Sequence, residues 1–210
     1  MIDIEILVVG PSRGGTSGVA SLVHGLGFEN LNSKATNFES VNIVKAFSRR
    51  DAESMKSVLD SEIADAGRNP KSLKLTIQGP HKSMPLFLNE AFRSKVLVGV
   101  FKNPFSIAMR RASIHGQDVA IHLENVLAEQ QALLETLRQH DFGIAFDFDY
   151  LSSKPLNAIS DLSEVLGGQI GKVEIAKIAE SLVAGKRKYL HQVSHSVPGL
   201  IPPSGVCNIS

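Results

Sequence analysis

"IEILVVGPSRGGTSGVASLVHGLG", residues 4–27, is an apolar β-branched run, a glycine-rich turn and a stretch of helical period in immediate succession. A strand, then G-x-x-x-x-G, then a helix gathers successive backbone N–H groups around one point at the positive end of the helix, a geometry suited to a phosphate or sulfate oxygen. Gly10 and Gly15 stand at the required interval, and Ser17 stands where such a loop carries its Ser/Thr. Thr16 takes the place of the lysine that a nucleoside triphosphatase uses to neutralise the β and γ phosphates, which argues against triphosphate hydrolysis and ordinary kinase chemistry. The compensating charge is Arg13, inside the turn. The plain alternative is a glycine-rich turn with no ligand.

Outward from this turn, β-branched apolar segments alternate with longer segments of helical period, the pattern of βα units on a parallel sheet. The strands are expected at "IEILVVG" (4–10), "LKLTIQG" (73–79), "KVLVGVF" (95–101) and "FGIAFDF" (142–148). Helices are expected from Asp51 to Gly67 and from Asp118 to His140. Another opens at Pro155 and runs through "LNAISDLSEVLGG", with proline at its start and glycines past its end. "KVEIAKIAESLVAGKRKYL" (172–190) reads as a last, basic helix, and 196–210 as an irregular tail. No domain boundary interrupts residues 1–210, and 43% hydrophobic residues are enough for a core of their own.

Basic and acidic residues number 22 and 21, so nothing in the overall charge favours nucleic acid or a membrane surface, and an anion site must be local. "MIDIEILVV" carries acids where a secretory leader carries bases, and no apolar run is long enough to span a bilayer, so a cytoplasmic protein is expected. The single cysteine, Cys207, cannot form an internal disulfide. Its context, "CNIS", has the outline of a C-terminal prenylation box, but Asn208 is not aliphatic and the basic run from Lys186 to Lys188 lies too far upstream to assist it.

The turn "PSRGGTSGVASLVHGLG" (11–27) resembles the 5′-phosphosulfate loop of sulfotransferases, P-[RK]-S-G-T-[TS] followed by a helix of small and apolar residues. Arg13, Gly15, Thr16 and Ser17 match, and Gly14 stands where serine is usual. "QGPHKSMPLFLNEAFRSKVLVGVFKNPFSIAMRR" (78–111) is similar to the family's K-x-P or K-x-H element, short helix, strand and R-[DN]-P, with Asn103 and Pro104 matching. "FDFDYLSSKPLNAISDLSEVLGG" (146–168) is similar to its Y-E-x-L, proline and helix closing on F-L-G. The resemblance implies a three-layer α/β/α sandwich of P-loop type, with a mostly parallel sheet. It also implies binding of 3′-phosphoadenosine 5′-phosphosulfate (PAPS) and transfer of its sulfonate to a hydroxyl or amine without a metal. Ser12, Arg13, Gly14, Gly15, Thr16 and Ser17 would then cradle the 5′-phosphosulfate, with Arg13 stabilising the leaving phosphate.

At the family's 3′-phosphate positions this chain has Lys102 for arginine and Arg110 for serine; both still favour an anion, although lysine lacks the planar fork of arginine. Arg110 or Arg111 could restore that grip from the following helix, although a solvated helix face would also carry such a pair. Gln78 stands where relatives have a lysine, and the family's closing loop with glycine and tryptophan has no counterpart in a chain without tryptophan. His81, just after the second strand, is the candidate general base, since a neutral imidazole can take the acceptor's proton near neutral pH. Lys82 beside it would support the leaving group. His24, His115, His122, His140, His191 and His195 show no metal-ligand spacing, so no metal site is expected. Two other readings stay open. One is a kinase-like phosphotransferase using Asp147 or Asp149 at the end of "GIAFDFD" to hold Mg²⁺. The other is a non-catalytic member of the same fold that binds only a nucleotide or a partner. The acceptor and the oligomeric state are not legible; "FENLNSKATNFESVNIVKAFSRR" (28–50) covers the region where relatives build part of the acceptor pocket.

Overall fold

The computed structural model describes residues 2–31, 38–39, 41–49, 52–66, 72–77, 84–116, 118–167 and 175–180. Strand β1 (Ile2–Pro11) is followed by helices α1 (Thr16–Gly25), α2 (Val41–Arg49) and α3 (Ala52–Ala66). Then come β2 (Ser72–Ile77), α4 (Met84–Ala91), β3 (Phe92–Phe101), α5 (Pro104–His115) and α6 (Val119–Gln139). β4 (Gly143–Asp147), α7 (Phe148–Ser153) and α8 (Pro155–Val165) complete the order. The four strands form one parallel sheet in the order β2-β1-β3-β4. The four expected strands are all present, and the chain has the α/β class expected of it.

β2, most of β1 and the second half of β3 are buried on both faces, as near-continuous apolar runs require, while the edge strand β4 buries little beyond Phe146. Period-2 alternation sends Leu7 and Val9 of β1, with Leu73, Leu75 and Ile77 of β2, to one face, where α2, α3, α4 and α6 cover them. Ile6 and Val8 of β1, with Val98 and Val100 of β3, point to the other, under α1, α7 and α8. These are the three layers. Met55 and Leu59 of α3 and Leu22 of α1 have no exposed surface, and each such side chain stabilises the fold by about 1.5–3 kcal/mol relative to an exposed one.

Local chemistry explains where the elements depart from expectation. β3 begins at Phe92 instead of Lys95, because Phe92, Arg93 and Ser94 pair with Ile2, Asp3 and Ile4 at the foot of β1. The last strand stops at Asp147, whose side chain accepts the Asp149 N–H at 2.8 Å and caps α7, so Phe148 is helical and not a strand residue. Asp118 caps α6 by accepting the Ala120 N–H, and Pro155 opens α8 as its composition requires. Of the expected basic helix, residues 175–180 are helical and pack Ile175 and Ile178 against the α1 side of the core; its remainder and the tail lie outside the described residues.

The connection leaving β1 leads to β2 at one edge, and the connection leaving β3 leads to β4 at the other. The crevice at the carboxyl ends of these two central strands is where open α/β sheets hold ligands. The turn after β1 and Lys102 after β3 both fall there.

Candidate functional site

The site starts from the turn. The Ser12 N–H donates to the Ile77 carbonyl at 3.0 Å, extending the β1–β2 pairing by one rung, and the Gly14 N–H donates back to the Pro11 carbonyl at 2.9 Å. Arg13 (φ 69°) and Gly15 (φ 92°) are both left-handed, and these two steps reverse the chain into α1. Gly15 has a second reason to be glycine: a Cβ there would lie 2.3 Å from ring carbons of Phe148. Arg13 has no such excuse. A left-handed arginine costs on the order of 1 kcal/mol, a strain that the surrounding turn offsets. Its side chain is exposed. No side chain caps α1, so no side-chain acceptor occupies the amides at its start, the positive end of the helix dipole.

Thr16 is buried, and its methyl is what a Cβ at Gly10 would strike, at 2.6 Å. It therefore seats α1 on β1 and presents its methyl to the sheet. Ser17 is engaged by a residue absent from the sequence reading. Lys74, paired with Val8 in the middle of β2, is 3% exposed and donates from Nζ to Ser17 Oγ at 2.8 Å and to Glu39 Oε1 at 2.7 Å. Thr76 Oγ1 donates to the same Glu39 oxygen. Burial alone would raise the Glu39 carboxyl, but the hydrogen bonds from Lys74 and Thr76 and the charges of Lys74 and Arg13 reverse this and hold it below the usual carboxylate range. Burial lowers the Lys74 ammonium below the ordinary lysine value; the Glu39 carboxylate opposes that shift, and the Arg13 charge adds to it. Ser17, Glu39, Lys74 and Thr76 thus form one hydrogen-bonded group, and the Arg13 charge acts on it electrostatically. The signal for Lys74 was available: it is the one charged residue in "SLKLTI", a strand otherwise fit for full burial.

Across the crevice, Lys102 holds its Nζ 5.4 Å from the centroid of Phe148, the ring that covers Gly15. Its carbonyl accepts from Gln130 Nε2 at 2.6 Å. The structure therefore brings both Lys102 and the turn next to one aromatic ring. Arg110 is half-buried on α5. Arg111 is buried and already engaged: Nε and Nη2 donate to the Ser12 carbonyl at 3.2 and 3.0 Å, while Nη1 and Nη2 grip the fully buried Glu129 carboxylate at 3.1 and 2.7 Å. It braces the turn from behind and is not open to a phosphate. Asp149 Oδ2 accepts the Asn103 N–H at 2.7 Å, and Asp147 caps α7, so both aspartates serve local structure. Among the described residues no group of three or more His, Cys, Asp or Glu is arranged to hold a metal ion. His81, Gln78 and Lys82 lie outside the described residues, as do His191 and His195. No helix among the described residues is long and apolar enough to cross a membrane.

No family model matches the chain, and no curated protein matches it. Solved structures do. The chain is similar to the sulfotransferase domain of the olefin synthase of Synechococcus PCC 7002, with a TM-score of 0.57 at 10% identity over 82% of this chain and 75% of that one. It is similar to mouse sulfotransferase SULT7A1 complexed with PAP, with a TM-score of 0.51 at 13% identity, over 88% of this chain and 66% of that one. It is also similar to retinol dehydratase in a complex with retinol and PAP, with a TM-score of 0.51 at 12% identity, over 95% of this chain and 72% of that one. At such identities the likeness is one of fold: the chain has the architecture of the sulfotransferases.

Proposed function

We propose that this chain is a divergent, cytoplasmic sulfotransferase, one domain over residues 1–210, that moves the sulfonate of PAPS to a hydroxyl or amine acceptor. The observation that carries the reading is the left-handed, exposed Arg13 before the start of α1, which no side chain caps: a turn suited to an anion, with arginine and not a loop lysine as its exposed charge. The sulfotransferase architecture supports it, as do the two similar structures described with PAP.

The residues present fit such a group. Ser12, Arg13, Gly14, Gly15, Thr16 and Ser17 would hold the 5′-phosphosulfate, Ser17 through its hydroxyl and Gly15 to Ser17 through helix-end amides. The buried Gly14 and Thr16 shape the turn. Lys102 and Arg110 would face the 3′-phosphate. The donor supplies a sulfonate already bonded to a good leaving phosphate, so the protein's part is alignment and charge stabilisation. Arg13 would neutralise charge developing on the bridging oxygen as the sulfur–oxygen bond breaks. His81 would accept the acceptor's proton as the new bond to sulfur forms.

The test compares 3′,5′-adenosine bisphosphate with ATP by thermal shift, with and without Mg²⁺. A ligand at a hundred times its dissociation constant stabilises by about 2.7 kcal/mol, so the bisphosphate should raise the melting temperature of the full chain by several degrees. Transfer of labelled sulfonate to an acceptor library should follow, and should fall at least about a hundredfold in His81→Ala. No shift with the bisphosphate would overturn the reading, and a clear preference for ATP with Mg²⁺ would overturn it in favour of a phosphotransferase.

A further inference from the structure

The turn lacks its lysine in sequence but not in space. Lys74 reaches it from the neighbouring strand, and it carries no acceptor, so in its 2.8 Å contact with Ser17 the hydroxyl oxygen must be the acceptor. The Ser17 hydrogen is thereby turned away from Lys74 and left to donate elsewhere. In metal-dependent loops of this shape the corresponding hydroxyl oxygen is the one that faces a divalent cation. Here a buried ammonium lies against it. Glu39 accepts from that ammonium and offsets its charge, and Thr76 in turn donates to Glu39 and holds it in place.

We propose that Lys74 is the resident cation of the turn, a positioning and charge-supplying residue that orients the Ser17 hydroxyl toward a bound phosphate or sulfate and takes the place of a divalent ion there, with Glu39 as the counter-charge that tempers it. The proposal deepens the reading of the turn as a phosphosulfate site and rests on it for the identity of the ligand. It assigns opposite effects to two residues that touch each other. Removing Lys74 removes attraction for an anion. Removing the charge of Glu39 removes a repulsion felt by a bound anion, and attraction rises at pH values where Lys74 keeps its proton.

Calorimetric titration of the full chain with 3′,5′-adenosine bisphosphate, in chelator and again with Mg²⁺, tests this in wild type, Lys74→Met and Glu39→Gln. Wild-type affinity should change by less than about twofold with Mg²⁺, Lys74→Met should bind at least about tenfold more weakly, and Glu39→Gln should bind several-fold more tightly. Glu39→Gln carries the test if Lys74→Met does not fold. A purely structural pair would weaken binding in both variants; that result, or unchanged affinity in a folded Lys74→Met, would overturn the proposal. Inorganic sulfate as a second probe separates the two claims. If sulfate binds in a Lys74-dependent manner and the bisphosphate does not bind at all, the reading of the turn as a PAPS site fails and the role of Lys74 stands. If sulfate binding is the same with and without Lys74, the role fails.

Discussion

Arg13 and Gly15 make the same left-handed step for different reasons, and substitution separates them. At Gly15 an alanine meets both the positive φ and the Phe148 ring, so Gly15→Ala should destabilise the fold by about 2–4 kcal/mol in urea denaturation and abolish bisphosphate binding. At Arg13 glycine relieves strain. Arg13→Gly should leave stability within about 1 kcal/mol of wild type while affinity for the bisphosphate drops at least about tenfold, a function-for-strain exchange visible only if both quantities are measured on one sample. Titration adds a prediction at the same scale. Because the folded Glu39 carboxyl lies below the usual range, its contribution is complete above that range and is lost as pH falls through and beneath it. Glu39→Gln should therefore flatten the acid limb of the stability profile. The lowered Lys74 ammonium acts at the other end: bisphosphate affinity should decline on the alkaline side before ordinary lysines titrate, and Lys74→Met should remove that limb.

Among the elements, α5 and α6 are joined to the turn by one buried ion pair. Arg111 touches Ser12, and Glu129 has no exposed surface, so Glu129→Ala strands a guanidinium behind the anion loop. The expected loss is about 3–5 kcal/mol in denaturant, with weakened bisphosphate binding as a consequence of a loosened turn. A double replacement by apolar residues of similar volume should recover stability without recovering binding. This pair also shows where reading the sequence stops. The "RR" at Arg110 and Arg111 was legible as two cations near a strand end, but a helix turns its face by about 100° per residue, so only packing decides which arginine meets solvent and which meets Glu129. Lys74 escaped for the opposite reason: a charge in an apolar strand is read past when strand signals are counted, although burial of a lysine demands a partner. Glu39, that partner, stands 35 residues earlier, in a segment whose mixed composition names no role.

For the whole molecule, the alternation of apolar strands with helical segments was enough to place four parallel strands, because an all-parallel sheet covered on both faces leaves few other ways to bury such runs. Strand order was not legible, since any order with right-handed crossovers satisfies the same pattern. The crevice follows from that order: with β1 and β3 at the centre and their connections parting, the turn, Lys74 and Lys102 converge on one rim. The central claim is that this rim is a metal-independent site for a sulfated or phosphorylated adenylate, held through Arg13. Calorimetry of the full chain with 3′,5′-adenosine bisphosphate in the presence of a chelator tests it most directly. The account predicts saturable one-to-one binding that Arg13→Gly weakens at least about tenfold with stability intact. Absence of binding by the wild-type chain, or equal binding by a folded Arg13→Gly, would contradict it.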